Sequence, residues 1–133
     1  MVVAQTLTED HPSTAYQCGR LMAVLAGLQR SALPNVGAGV VQRYYASASA
    51  TPALVLGRLT RMAQFHLAKL QPGLAYWYES RLSEIWSHLG DSVPKVLSLE
   101  EQSLFALGYY QQIAEMRKKK VVAEEEPEEE SNE

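Results

Sequence analysis

Between His11 and Tyr78 the chain has no aspartate or glutamate, although Arg20, Arg30, Arg43, Arg58, Arg61 and Lys69 all lie there. Soluble domains ordinarily intersperse the two signs, so this absence points to an anionic partner, of which nucleic acid is the commonest. Cysteine is nearly absent as well. Cys18 stands alone, which excludes an internal disulfide framework and fits a reducing, cytoplasmic setting. No apolar run approaches the roughly 20 residues of a membrane-spanning helix. The opening MVVAQTLTEDHPS lacks the basic start and apolar core of a signal peptide, so no membrane partner is expected. The histidines His11, His66 and His88 form no HExxH and no pair at ligand spacing, and there is no CxxC. No glycine-rich loop followed by lysine is present to cradle a phosphate. The basic stretch also lacks the clustered carboxylates that hold the cations of a metal-dependent nuclease. Neither an enzyme, a metal site nor a cofactor is expected. His66 and Cys18 fall on apolar helix faces and read as packed core residues. Ser47 and Ser49 read as corner or cap residues.

The charge that is present is unevenly placed. Residues 121–133 carry seven acids and no base, whereas residues 1–120 carry twelve bases and eight acids, a body of +4 behind a whole-chain charge of −3. One domain is the natural reading of 133 residues. Residues 1–12 read as a flexible leader, 13–120 as the folded body and 121–133, with EEEPEEE, as a disordered acidic tail.

Within the body the periodicity is helical. Ser13 or Thr14 can cap a helix from about Ala15 to Ala32, with Cys18, Leu21, Met22, Leu25 and Leu28 on one face. The other face, Tyr16, Gly19, Arg20, Ala23, Gly27 and Arg30, is small and basic, and its Gly and Ala residues would let another backbone approach closely. A short helix is predicted from about Val36 to Ser47. Thr51 as N-cap and Pro52 at the first position open a third helix to Leu70. Its inner stripe is Val55, Leu59, Met62, Ala63, His66 and Leu70; its outer stripe is Leu54, Arg58, Arg61, Phe65 and Lys69. A fourth helix runs from Gly73 to Leu89, closed by Gly90. Ser98 and Glu101 form a capping box for a fifth, to about Lys119, with Leu99, Ala106, Tyr109, Tyr110 and Ile113 inward. The expected fold is all-α, a compact bundle of four to five helices.

The feature that suggests a function is the outer stripe of the third helix. It interleaves three cations with an aromatic, so phosphates could meet the cations and a splayed base could meet Phe65. The plainer alternative is a solvated helix face. Tyr44, Tyr45, Tyr109 and Tyr110 could stack on bases too, though core packing with hydroxyls at the surface is the simpler reading.

Five segments, in order, resemble the C-terminal region of the type I-C CRISPR large subunit. They are Ser13-Thr14-Ala15-Tyr16 with Gly19-Arg20-Leu21; Arg43-Tyr44-Tyr45; Ala48-Ser49-Ala50-Thr51-Pro52-Ala53; His66-Leu67-Ala68-Lys69-Leu70; and Leu104-Phe105-Ala106-Leu107-Gly108-Tyr109-Tyr110-Gln111-Gln112. The likeness covers about residues 13–112. Gln42 departs from an acidic residue in that pattern, and Gln111 from a histidine. The resemblance implies a free small subunit of the interference complex, Cascade, made from an internal start in the large-subunit gene. It implies a helical bundle beside the guide-bound backbone, in contact with the large and backbone subunits, guide RNA and other copies of itself. There it would support the displaced non-target DNA strand. Arg20, Arg30, Arg43, Arg58, Arg61 and Lys69 are the expected phosphate contacts and Phe65 the stacking residue. The rival reading is a helical adaptor whose basic face meets an acidic protein.

Overall fold

Ser13 Oγ accepts the Tyr16 backbone N–H at 3.2 Å and so fixes the start of the first helix, α1 (Thr14–Ala32). The computed structural model describes residues 6–35 and 39–131, with side chains for all but 40–42 and 119–131. Four more helices follow: α2 (Val40–Ala50), α3 (Pro52–Ala68), α4 (Pro72–Leu89) and α5 (Leu99–Ser131). The all-α bundle expected from the sequence is what forms. The predicted start of the second helix at Val36 lies outside the described residues. Thr51 sits at the N-cap of α3, but its hydroxyl turns back to donate to the Ser47 carbonyl at 3.0 Å, closing α2 instead.

The expected two-faced first helix is corrected. Every residue of α1 from Ala15 to Leu28 is buried, because α1 is the central rod and the other four helices pack around it. A helix surrounded on all sides has no solvent face. The small residues that suggested a close approach achieve it. A Cβ built on Gly19 would lie 1.9 Å from the Phe105 carbonyl oxygen, and one on Gly108 would lie 2.1 Å from that of Tyr16. α1 and α5 therefore touch backbone to backbone. They run parallel: Tyr16 meets Gln111, Arg20 meets Gln112 and Gly27 lies against Met116. α4 runs the other way, with Tyr78 against Gly27 and Glu84 against Arg20.

This glycine contact sets the rotation of α5. Phe105, Gly108, Tyr109 and Gln112, at helical spacing, face α1 and are buried. Leu99 and Tyr110, expected inward, fall outside that arc and are 85% and 64% exposed. The capping box forms as predicted, with Ser98 N donating to Glu101 Oε1 at 2.8 Å and Glu101 N to Ser98 Oγ at 3.1 Å. Gly90 ends α4 with φ of 52°, a conformation glycine tolerates readily. The loop after it ties the base of the bundle together: Ala53 N donates to the Pro94 carbonyl and Leu97 N to that of Ala50, both at 3.0 Å. The α5 backbone continues past Lys119, where the helix was expected to end. Lys, Ala and Glu are good helix formers without any core contact. Packing on the core is seen as far as Met116.

Residues 6–12 are not a loose leader. The α4 and α5 backbones stay apart among the described residues, and Leu7 and Glu9 lie in the seam between them, above Arg20. Thr8 N donates to the Tyr16 hydroxyl at 3.1 Å. Gln17 Nε2 donates to the carbonyls of Glu9 and His11, and Arg20 Nη1 to that of Glu9. The His11 ring stacks on Tyr16 at 4.1 Å. Composition suggested a free end; these polar groups on α1 hold it down.

Candidate nucleic-acid interface

In α3, Leu56, Leu59, Ala63 and His66 are buried, which turns the opposite arc to water. Leu54, Arg58, Arg61, Phe65 and Lys69 recur every three or four residues, so they form one stripe. All five are exposed, Leu54 by 68% and Phe65 by 73%. None of the three cations has a carboxylate ion pair among the described residues. The helix contains no acid, and neither do α1 and α2. The Arg61 guanidinium lies back along the helix over Gly57, 3.9 Å from where a Cβ would sit. Behind the stripe, burial and then the charge of Lys69 hold His66 below its ordinary pKa, so it is neutral at physiological pH.

The other expected contacts do not join this stripe. Arg20 is corrected outright, for it is 1% exposed. Its guanidinium makes a bidentate pair with Glu84, Nη1 to Oε2 at 3.0 Å and Nη2 to Oε1, and donates to Gln112 and Gln17 at 2.8 Å each. A buried arginine needs such partners, and this one has no free donor face to offer a phosphate. Glu84 is shared with His88, whose Nε2 lies 2.9 Å from Oε2. Arg30 and Arg43 are exposed, but at the end of α1 and the start of α2. Arg117 and Lys118 on α5 are exposed as well, and the sequence reading did not place them among the expected contacts.

Groups capable of chemistry are occupied otherwise. Cys18 is fully buried, and burial pushes its thiol up to about 12, so it carries no thiolate at neutral pH. Ser49 is buried at the α2–α3 corner. Tyr45 and Tyr109 pack edge to face at 5.0 Å, and Tyr45 does the same against Phe105 at 5.4 Å. Of the four tyrosines considered as stacking residues, Tyr110 is the one whose ring stands in water. Among the described residues, no three His, Cys, Asp or Glu side chains are grouped to hold a metal ion. No helix among them is long and apolar enough to cross a membrane.

A comparison with curated proteins gave no match. The family model described as CRISPR-associated protein (Cas_Csd1) matches residues 1–117, which is the helical body from before the α1 cap to the last turn of α5 that packs on the core. The chain belongs to the CRISPR-associated Cas_Csd1 family.

Proposed function

We propose that this chain is a non-catalytic small subunit of a type I-C CRISPR surveillance complex, and that the outer stripe of α3 binds the displaced non-target DNA strand. The observation that carries the reading is the stripe itself: Arg58, Arg61 and Lys69 exposed with no carboxylate ion pair among the described residues, with Phe65 between them. Family membership supplies the setting of RNA-guided defence. Exchange of a DNA duplex for a guide–target heteroduplex is nearly balanced in energy. A surface that holds the displaced strand opposes its re-annealing and so favours the open loop, without reading its sequence. Cations supply the phosphate contacts and an exposed ring can stack on any base. The partners in this account are the large and backbone subunits, guide RNA and further copies of the chain, in the cytoplasm.

A helical adaptor that docks an acidic protein is the competing reading, favoured by the exposed Leu54 at the end of the stripe. Competition separates the two. Single-stranded DNA of random sequence should bind the isolated chain, with a log–log salt slope of roughly −0.7 per phosphate neutralised. No binding at low salt would favour the adaptor.

A further inference from the structure

The acid-free surface does not end at α3. On α3, Thr60, Gln64 and Leu67 face Glu79, Ser83 and Trp86 of α4 across a shallow groove. At 100° per residue, Arg58 and Lys69 therefore lie on the other flank, toward α2. On α5, Gln112, Glu115 and Met116 face the N-terminal strap and α4. The flank toward α2 carries Tyr109, against which Tyr45 of α2 packs at 5.0 Å, and at its outer edge Tyr110 and Arg117. α2 thus lies between α3 and α5 and packs on both, whereas among the described residues the α3 and α5 backbones stay apart. Among the α2 residues whose side chains are described, the exposed ones are Arg43 and the small Ala46 and Ser47, which leave a low saddle between the two outer stripes. Gly39, at the start of α2, lies beside Gln29, so Arg43 and Arg30 share one end of this saddle. Burial raises the Tyr109 phenol above its ordinary pKa, and the charges of Arg30 and Arg117 both oppose that rise. Tyr110 is held edge to face on Tyr109 at 5.1 Å while the residue remains 64% exposed. The described acids of the body lie on the strap, on α4 and its following loop, at the base of α5 and at Glu115, and none lies on α1, α2 or α3.

We propose that a single nucleic-acid strand bound along α3 continues across α2 onto α5, where Tyr110 stacks on an unpaired base and Arg30, Arg43 and Arg117 hold its phosphates. This rests on the reading of the α3 stripe and lengthens it into a track across three helices. Neighbouring helix axes lie about 8–10 Å apart, so the crossing adds some 20 Å of path. Sites of about 4–16 nucleotides are usual for such surfaces. A short strand would fill α3 alone and a long one would reach Tyr110.

The test uses the full chain and oligothymidylates of about 6 and about 20 nucleotides, with the double variants Tyr110→Ala/Arg117→Ala and Arg58→Glu/Arg61→Glu. Circular dichroism checks that the helix content is retained; all four positions are exposed. The wild type should bind the long strand more tightly. The α5 variant should weaken long-strand binding about tenfold and leave the short strand unchanged. The α3 variant should weaken both. Equal affinity of the wild type for the two lengths overturns the track, as does an α5 variant that leaves the long strand unaffected or weakens both lengths alike. In those cases loss of binding in the α3 variant still upholds the α3 reading. If the wild type binds neither strand, both readings fall.

Discussion

Gly19 on α1 and Gly108 on α5 interlock: each places its missing side chain against a carbonyl of the opposite helix, Gly19 against Phe105 and Gly108 against Tyr16. No side-chain rearrangement can relieve a Cβ set 2.1 Å from a backbone oxygen, so the helices themselves would have to move apart. Gly108→Ala is expected to destabilise the fold by about 2–3 kcal/mol, at the upper end for overpacking, despite the better helix propensity of alanine. Urea unfolding checks this, with Gly73→Ala as the control, since nothing lies within 4 Å of that position.

Glu84 is the carboxylate that neutralises the buried Arg20. Glu84→Gln should lower stability by about 2–3 kcal/mol, below the figure for a fully buried pair because Glu84 is partly open to water. Arg20→Met with Glu84→Gln should lose less than Glu84→Gln alone, since it removes the stranded charge. Chemical denaturation of the three proteins gives the comparison.

The pH dependence of stability should include a contribution from His66. Its folded-state pKa is lowered from 6.5, first by burial and then by Lys69. The unfolded chain therefore binds a proton at a higher pH than the folded one. The contribution is fully present above pH 6.5 and is lost as pH falls through the folded value. The melting temperature of the wild type should fall more than that of His66→Gln between pH 7.5 and pH 5.5. Parallel curves would show that His66 is not the group responsible.

Much of this architecture was legible in the residues. Pro52 and the spacing of Leu59, Ala63 and His66 located α3 and its outward stripe, because an amphipathic helix on a surface shows its inner face by period alone. The Ser98–Glu101 box marked the start of α5 for a similarly local reason. Arg20 was misplaced because period says which residues share a face and nothing about what covers that face. The partner that buries it, Glu84, lies 64 positions away. Leu99 and Tyr110 were placed inward because both are large and apolar in part, while the rotation of α5 is fixed by Gly108, whose signal is the lack of a side chain. The strap at residues 6–12 looked free for the same reason: the polar side chains that hold it belong to α1.

The central claim is that the outer stripe of α3 holds the displaced strand. Its most direct measurement is permanganate reactivity of that strand, together with the DNA dissociation rate, in complexes reconstituted with wild-type chain or Arg58→Glu/Arg61→Glu. Each charged hydrogen bond lost is worth roughly 1.5–3 kcal/mol, large against a nearly balanced strand exchange. The account predicts normal folding and guide-RNA assembly, with an altered reactivity pattern along the displaced strand and faster DNA dissociation. Reactivity and dissociation equal to wild type would contradict it.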